Sequence, residues 1–204
     1  MSIPKPPNPA KLVVGVIVQD KSLLAAIMDE LAGTFGSHDL ISPWFDFNYT
    51  NYYENEMGLH LFRRMLVFKT LIRQEDLAEI KIVTNGIESK YLSNGNRQAN
   101  LDPGYLLLER FVLATGKNYS HRIYIGKSIY ADLTLLYEEG KYQVLPWTYP
   151  DYAQPDIQNF LVKVREKYKL DLKQNDKPLE TIFEKKGEPI NDIQHDRILC
   201  SGKI

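Results

Sequence analysis

The chain has 204 residues, of which 44% are hydrophobic and 25% are charged, and this is the composition of a globular domain long enough to bury a large core. Its 25 lysines and arginines are balanced by 26 aspartates and glutamates, which argues against nonspecific nucleic-acid binding because that binding depends on excess positive charge. The single cysteine, Cys200, excludes an internal disulfide and a cysteine-cluster metal site.

The first ten residues contain four prolines and are predicted to form a flexible arm. They include no apolar run of the length found in a signal peptide. The longest aliphatic run, residues 12–18, is too short to cross a bilayer. We therefore expect a cytoplasmic protein that does not associate with membranes.

The first half of the chain alternates between strand and helix patterns. Residues 12–18 are β-branched and apolar without alternation, which predicts a strand covered on both faces. Apolar residues then recur at helical spacing up to Leu31, and Gly33 and Gly36 end this helix. Further along, the pattern predicts a strand at 40–47, a polar, tyrosine-rich connection at 50–58, a strand or helix at 61–72, and an amphipathic helix at 74–93.

The second half of the chain predicts shorter elements. Residues 100–104, with the sequence NLDPG, read as a turn before an apolar run at 105–114. Short strands are predicted at 123–125, 131–137 and 142–145, the last two joined as a hairpin across residues 138–141. Pro155 favours the first turn of a helix, and an apolar stripe continues from it to Tyr168.

The first six elements follow the order β-α-β-β-α-β, which is that of a ferredoxin-like split βαβ unit. We therefore predict an α/β (α+β) fold with a ferredoxin-like core, an added β-hairpin and a C-terminal helix. A three-layer α/β sheet is the alternative. Residues 11–170 are predicted to form the single domain, preceded by the arm at 1–10 and followed by a peripheral tail at 171–204.

Polar groups that can bind an anion are concentrated between residues 100 and 151. The candidate ligand-binding residues are Asn100, Asp102, His121, Arg122, Lys127 and Asp151. Arginine, lysine and histidine side chains could bind an oxyanion or a phosphate, and Asp102 could act as a base. The alternative is that the cations make ordinary surface ion pairs and that Asn100 and Asp102 build the turn before Pro103.

Other types of site have less support. Gly126, Lys127 and Ser128 resemble the end of a P-loop, but His121 stands where the motif requires glycine, and a strand follows where it requires a helix. Glu56 and His60 would share a helical face and are candidate metal ligands, although a metal site needs further ligands. The sequence has no Gly-x-Ser-x-Gly nucleophile motif and leaves any cofactor unknown.

Four segments carry a resemblance to a known family. They are TNYYENEMG at 50–58, NLDPGY at 100–105, HRIY at 121–124 and WTYPDY at 147–152. In this order they resemble the bacterial domain-of-unknown-function family DUF4416, over roughly residues 9–170. The resemblance implies no established activity. Some members carry a GTP-binding label, but the missing P-loop glycine and the absence of an Asn-Lys-x-Asp motif argue against it for this chain.

These observations favour a domain with a polar pocket for a small anionic metabolite or nucleotide, with or without enzymatic activity. The alternative is an interaction module without enzymatic activity that binds a protein or a structured RNA. The pocket hypothesis requires Asn100, Asp102, Lys127 and either His121 or Arg122 to meet at one cavity. The sequence alone defines neither a reaction nor a protein partner.

Overall fold

The computed structural model describes residues 1–50 and 52–174. Its helices are α1 (Leu24–Phe35), α2 (Glu54–Met57), α3 (Leu77–Ser89) and α4 (Pro155–Gln174), with short 3₁₀ turns leading into α1 and α3. Its strands are β1 (Ala10–Val18), β2 (His38–Ile41), β3 (Phe45–Phe47), β4 (Leu61–Ile72), β5 (Leu92–Ser93), β6 (Asn96–Arg97), β7 (Ala99–Leu106), β8 (Arg110–Thr115), β9 (Arg122–Tyr124), β10 (Tyr130–Glu138) and β11 (Lys141–Val144).

The main sheet has the strand order β11-β10-β8-β7-β1-β4-β2, with β3 beside β4 and β9 beside β10. Every strand pair is antiparallel. The segment β7-β1-β4-β2, with α1 after β1 and α3 after β4, is the ferredoxin-like arrangement that the sequence predicted. The α+β prediction is therefore confirmed, and β8, β10 and β11 extend the sheet beyond β7.

Strand β1 lies at the centre of this arrangement, and all nine of its residues are buried. The apolar run therefore has both faces covered, as its lack of alternation predicted. Lys11 is the charged residue of this buried strand. Its ammonium group lies 2.6 Å from a carboxylate oxygen of Asp39 and 2.6 Å from one of Asp171. Asp171 belongs to α4, so these ion pairs fix the last helix against the sheet.

Several predicted boundaries differ from the structure. The segment predicted as one strand at 40–47 is divided into β2 and β3 near Pro43. Between the two strands, the backbone N–H of Ser42 donates to the Met65 carbonyl, and the Ser42 hydroxyl accepts from the Met65 N–H. The segment 61–72, for which a helix was the alternative, is the single long strand β4. Helix α4 continues through Gln174, past the predicted start of the tail at 171. The rest of the tail, including Cys200, lies outside the described residues.

The predicted turn at 100–104 was wrong, because these residues belong to β7. Each of them pairs with a residue of β1. Backbone groups of alternate strand residues point to the same side, so the nitrogen of Pro103, like that of Leu101, faces away from β1. On that side β8 pairs with β7 only from Gly104 to Leu106. Proline therefore costs the sheet no hydrogen bond at this position.

Within the described residues, no helix is long and apolar enough to span a membrane.

Candidate functional site

A cavity of about 560 Å³ lies where β7 and β8 separate. Continuing the β7–β8 register would bring Asp102 opposite Thr115, but these two residues instead line the cavity between the strands. We call this space the strand-split cavity. It is lined by Phe47, Tyr49, Thr50, Tyr52, Tyr53, Arg63, Lys81, Asn85, Glu88, Arg97, Asn100, Asp102, Leu113, Ala114, Thr115, Gly116, Lys117, Tyr149, Pro150, Asp151 and Tyr152.

Two side chains of α3 replace the missing strand partner of β7. The backbone N–H of Leu101 donates to Glu88 Oε1 at 2.7 Å, and Lys81 Nζ donates to the Leu101 carbonyl at 2.8 Å. Both side chains are largely buried, with 9% of Glu88 and 11% of Lys81 exposed. Because β7 finds its hydrogen bonds here without β8, the two strands can separate and leave space between them.

Arg63 of β4 is a buried cation beside this space. Its guanidinium lies 3.2 Å from Asp102 Oδ2 and forms a second ion pair with Asp151. Its flat faces contact the rings of Phe47 and Tyr152, with Cζ at 5.1 and 4.8 Å from the ring centroids. Burial and two carboxylate partners together fix the position of this side chain.

Gly15 of β1 makes room for that arrangement. It pairs with Asp102 on one side and with Met65 on the other. A Cβ atom at this position would lie 3.2 Å from the Tyr152 hydroxyl and 3.8 Å from Arg63 Cζ. The glycine therefore leaves space above the central strand for both the Arg63 guanidinium and the Tyr152 hydroxyl.

A second arginine holds the outer part of the cavity. Arg97 forms a two-pronged ion pair with Glu56, with both N···O distances at 2.7 Å. Its Nη1 donates to Asn100 Oδ1 at 3.0 Å and lies 3.6 Å from a carboxylate oxygen of Glu88. The contact with an arginine fixes the orientation of the Asn100 amide, since guanidinium groups only donate hydrogen bonds.

Three buried polar atoms of the lining residues find neither a hydrogen-bond partner nor an ion-pair partner within the described part of the chain. They are Arg63 Nε, Asn100 Nδ2 and the hydroxyl oxygen of Tyr152. The three residues are 3%, 4% and 1% exposed. Buried polar groups are almost always paired in folded proteins, so three unpaired groups on residues that line one cavity make this cavity the candidate ligand site of the structure.

Burial shifts the acid–base properties of the lining residues. It raises the pKa of Asp151 above its usual range, although Arg63 opposes the shift. It also raises the pKa of Glu88, where Lys81 opposes it, and that of Tyr149 to about 12. Hydrogen bonds from Arg97 instead lower the pKa of Glu56. Asp151 and Glu88 are therefore more easily protonated than ordinary carboxylates.

His121 and Arg122 form a separate cluster around Asp132 of β10, which is fully buried. Asp132 Oδ2 lies 2.8 Å from Arg122 Nε and 3.3 Å from His121 Nε2. His121 also stacks between the rings of Tyr119 and Trp147, with centroids at 6.1 and 5.0 Å. His121 and Arg122, which were predicted to bind a ligand, are therefore engaged in contacts within the protein.

Arg122 nevertheless connects its cluster to the strand-split cavity. Its Nη1 donates to the carbonyl of Lys117 at 2.9 Å, and its Nη2 donates to the hydroxyl of Tyr149 at 2.6 Å. Lys117 and Tyr149 both line the cavity. Arg122 therefore positions two lining residues without lining the cavity itself.

The structure does not meet the spatial requirement of the pocket hypothesis, since it brings together only three of the six predicted ligand-binding residues. Asn100, Asp102 and Asp151 line the cavity, whereas His121 and Arg122 lie behind its wall. Lys127 is exposed and ion-paired with Glu79 of α3, and it does not line the cavity.

The predicted metal ligands do not form a pair. Helix α2 ends at Met57, so His60 does not lie on the same helical face as Glu56. Glu56 is bound to Arg97, and His60 lies on an exposed loop. Among residues 1–50 and 52–174, no group of three or more histidine, cysteine, aspartate or glutamate side chains is placed to hold a metal ion.

Sequence reasoning missed the buried charged residues of the cavity. Arg63 is the charged residue on the buried face of β4, and Lys81 and Glu88 lie on the buried face of α3 with Leu77 and Ile80. A charge at an otherwise apolar position of an amphipathic pattern is the signal that could have identified them, since an unpaired charge is rarely buried.

Comparison with known proteins assigns the chain to a sequence family. The sequence model of a domain of unknown function, DUF4416, matches residues 8–168. These residues include every element from β1 to most of α4 and all residues that line the cavity. No curated protein and no solved structure was found to be similar to the chain.

Proposed function

We propose that this chain, which belongs to the DUF4416 family, binds a small anionic metabolite in the strand-split cavity. The observation that supports this most directly is the set of unpaired buried groups on Arg63, Asn100 and Tyr152. Arg63 Nε and Asn100 Nδ2 can only donate hydrogen bonds, and the Tyr152 hydroxyl can donate as well. A phosphate or carboxylate group accepts several hydrogen bonds at once and is the natural partner for such a set.

The charges around the cavity agree with an anionic ligand. Four cationic side chains line it, Arg63, Lys81, Arg97 and Lys117, against three carboxylates. The first three cations are paired with carboxylates. The Lys117 ammonium lies 3.9 Å from the ring centroid of Tyr52 and has no carboxylate partner among the described residues. It is therefore the cation best able to attract an anion to the cavity.

Asp102 gives the same cavity a group with different chemistry. Its side chain is 24% exposed, so it is the most accessible of the three lining carboxylates. A carboxylate beside a bound anion can accept a hydrogen bond from a ligand hydroxyl or take up a proton. This gives the cavity a candidate base if it also carries out a reaction.

Isothermal titration calorimetry and thermal unfolding with inorganic phosphate, pyrophosphate and citrate test the proposal. We expect at least one of these anions to bind and to raise the melting temperature at millimolar concentration. Lys117→Gln should weaken that binding, whereas Lys127→Gln removes an exposed lysine outside the cavity and should leave it unchanged. The proposal fails if none of the anions binds, or if the two variants lose affinity equally.

Asn100→Ala provides a second test inside the cavity. It removes the unpaired donor but also the acceptor of Arg97, whose ion pair with Glu56 remains. We expect weaker anion binding by a folded protein. Recovery of a stoichiometric protein or RNA from the purified chain, with no response to small anions, would instead support an interaction module.

A further inference from the structure

We infer that the ligand of the strand-split cavity is a nucleoside 5′-monophosphate, an assignment that rests on the proposed binding of a small anion. The unpaired donors account for one part of the cavity only. The remaining lining contains an aromatic wall and an accessible carboxylate, and each of these has its own preferred ligand chemistry.

The aromatic wall consists of Phe47, Tyr49, Tyr52 and Tyr53. Their rings meet edge to face, with centroids separated by 5.0 to 6.0 Å. Tyr49 and Tyr52 nevertheless remain 36% and 58% exposed. Aromatic rings with an accessible face at a cavity stack on planar rings such as nucleobases, whatever the base. This wall therefore suits a ligand with a planar ring.

Asp102 suits hydroxyl groups. Its Oδ2 is bound to Arg63, while Oδ1 lies 4.0 Å from Lys81, beyond hydrogen-bond distance. Because a carboxylate repels a phosphate but accepts hydrogen bonds from hydroxyls, this oxygen favours the sugar part of a ligand. A ribose between a base and a phosphate presents two neighbouring hydroxyls to such a group.

Charge and size favour one phosphate over three. The lining has four cations and three carboxylates, a surplus of one positive charge, and Glu56 pairs with Arg97 from outside the lining. One phosphate group, which carries about −1.5 to −2 charges at neutral pH, already exceeds this surplus. A triphosphate would bring much more negative charge than the lining can neutralise. The volume of about 560 Å³ lies within the range of about 300–1,000 Å³ that is usual for small-molecule sites.

Calorimetry with a graded set of compounds tests the assignment on the full chain. The set consists of inorganic phosphate, ribose 5-phosphate, the four common ribonucleoside 5′-monophosphates, their 2′-deoxy forms and adenosine. We expect at least one monophosphate to bind about tenfold or more tightly than ribose 5-phosphate, the gain typical of stacking one base. We also expect the ribose form to bind more tightly than the 2′-deoxy form.

Two matched tyrosine variants locate the ring. Tyr52→Ala should weaken the binding of the monophosphate by a much larger factor than the binding of ribose 5-phosphate, which should change only through the contact between Tyr52 and Lys117. Tyr124→Ala is the control, because Tyr124 is 60% exposed and does not line the cavity. Asp102→Asn should reduce the preference for ribose over deoxyribose.

The outcomes separate this inference from the proposed function. If ribose 5-phosphate binds as tightly as every monophosphate, the nucleotide assignment is wrong while anion binding stands. If no phosphate compound binds, the proposed function fails with it. A 5′-phosphorylated single-stranded oligonucleotide that binds more tightly than any mononucleotide would overturn the assignment to a free nucleotide.

Discussion

Replacing Arg63 by methionine should lower the free energy of unfolding by about 3–5 kcal/mol, the usual cost of removing one partner from a buried ion pair. The Arg63 side chain is 4% exposed, and its partners Asp151 and Asp102 are 5% and 24% exposed. Methionine fills much of the same volume, so the loss comes mainly from the uncompensated charge on the more buried partner. Asp102 contributes less because water reaches it.

The same variant should also change the pH dependence of stability. Burial already raises the pKa of Asp151, and Arg63 opposes that shift. Without Arg63 the pKa in the folded state rises further above the value in the unfolded chain, so the folded state takes up a proton more readily than the unfolded state. Stability of the variant then increases as the pH falls from 7 towards the unfolded pKa, and its deficit against the wild type shrinks.

Urea denaturation at pH 7 and pH 5 measures both effects. Arg64→Met is the matched control, since Arg64 is the next residue of β4 and bonds to the Ser42 carbonyl at 2.9 Å, a contact worth about 1 kcal/mol. Arg63→Lys keeps the charge and provides a measurable variant if Arg63→Met does not fold. A loss no larger than that of Arg64→Met, or a loss that is the same at both pH values, would refute the reasoning.

Three further changes test other parts of the site. Gly15→Ala places a Cβ atom 3.2 Å from the buried Tyr152 hydroxyl and should lower the free energy of unfolding, measured in urea, by about 1–3 kcal/mol. The control Gly33→Ala, in open space on α1, should raise it by about 0.5–1 kcal/mol. Asp151→Asn should flatten the pH dependence of the unfolding free energy above the unfolded pKa of an aspartate, because the raised pKa of Asp151 in the folded state makes its contribution to stability fall as the pH rises from the unfolded value through the folded one. Tyr149→Phe removes the hydroxyl that accepts from Arg122 and should lower the melting temperature by the equivalent of about 0.5–1.5 kcal/mol.

Much of the fold could be predicted because it depends on local patterns. The unalternating run of β1 indicated a strand with both faces covered, and the element order indicated the ferredoxin-like core. The hairpin between β10 and β11 was predicted from the residues of its turn, where Glu139 and Gly140 adopt positive φ angles of 50° and 83°. Such turns are determined by the residues that form them.

The strand at Asn100–Gly104 could not be predicted in this way. Asparagine, aspartate, proline and glycine in close succession are typical of a turn, and only pairing with β1, more than 80 residues earlier in the chain, makes this segment a strand. Tertiary pairing overrides local propensity here. The same limitation hid Arg63, because its carboxylate partners lie 39 and 88 residues further along the chain.

The site residues that were predicted share a different property. Asn100, Asp102 and Asp151 stood out as polar groups inside motif-like segments, without any knowledge of what they contact. Lys127 looked equivalent by chemistry, yet it is paired with Glu79 on the surface. Residue type therefore indicated which groups could bind an anion, but their placement depended on where the strands diverge.

That divergence begins at Gly104. A Cβ atom there would lie 2.5 Å from the carbonyl oxygen of Val112, so β7 and β8 approach each other at this position to a distance that only glycine tolerates. One residue earlier, Pro103 has no N–H that could donate to β8. The next backbone groups of β7 that face β8 are those of Leu101, and they bond to side chains of α3. Glycine and proline thus end the pairing of these strands. The ion pairs that follow are the consequence, since a lysine and a glutamate brought to a buried strand edge need charged neighbours of their own.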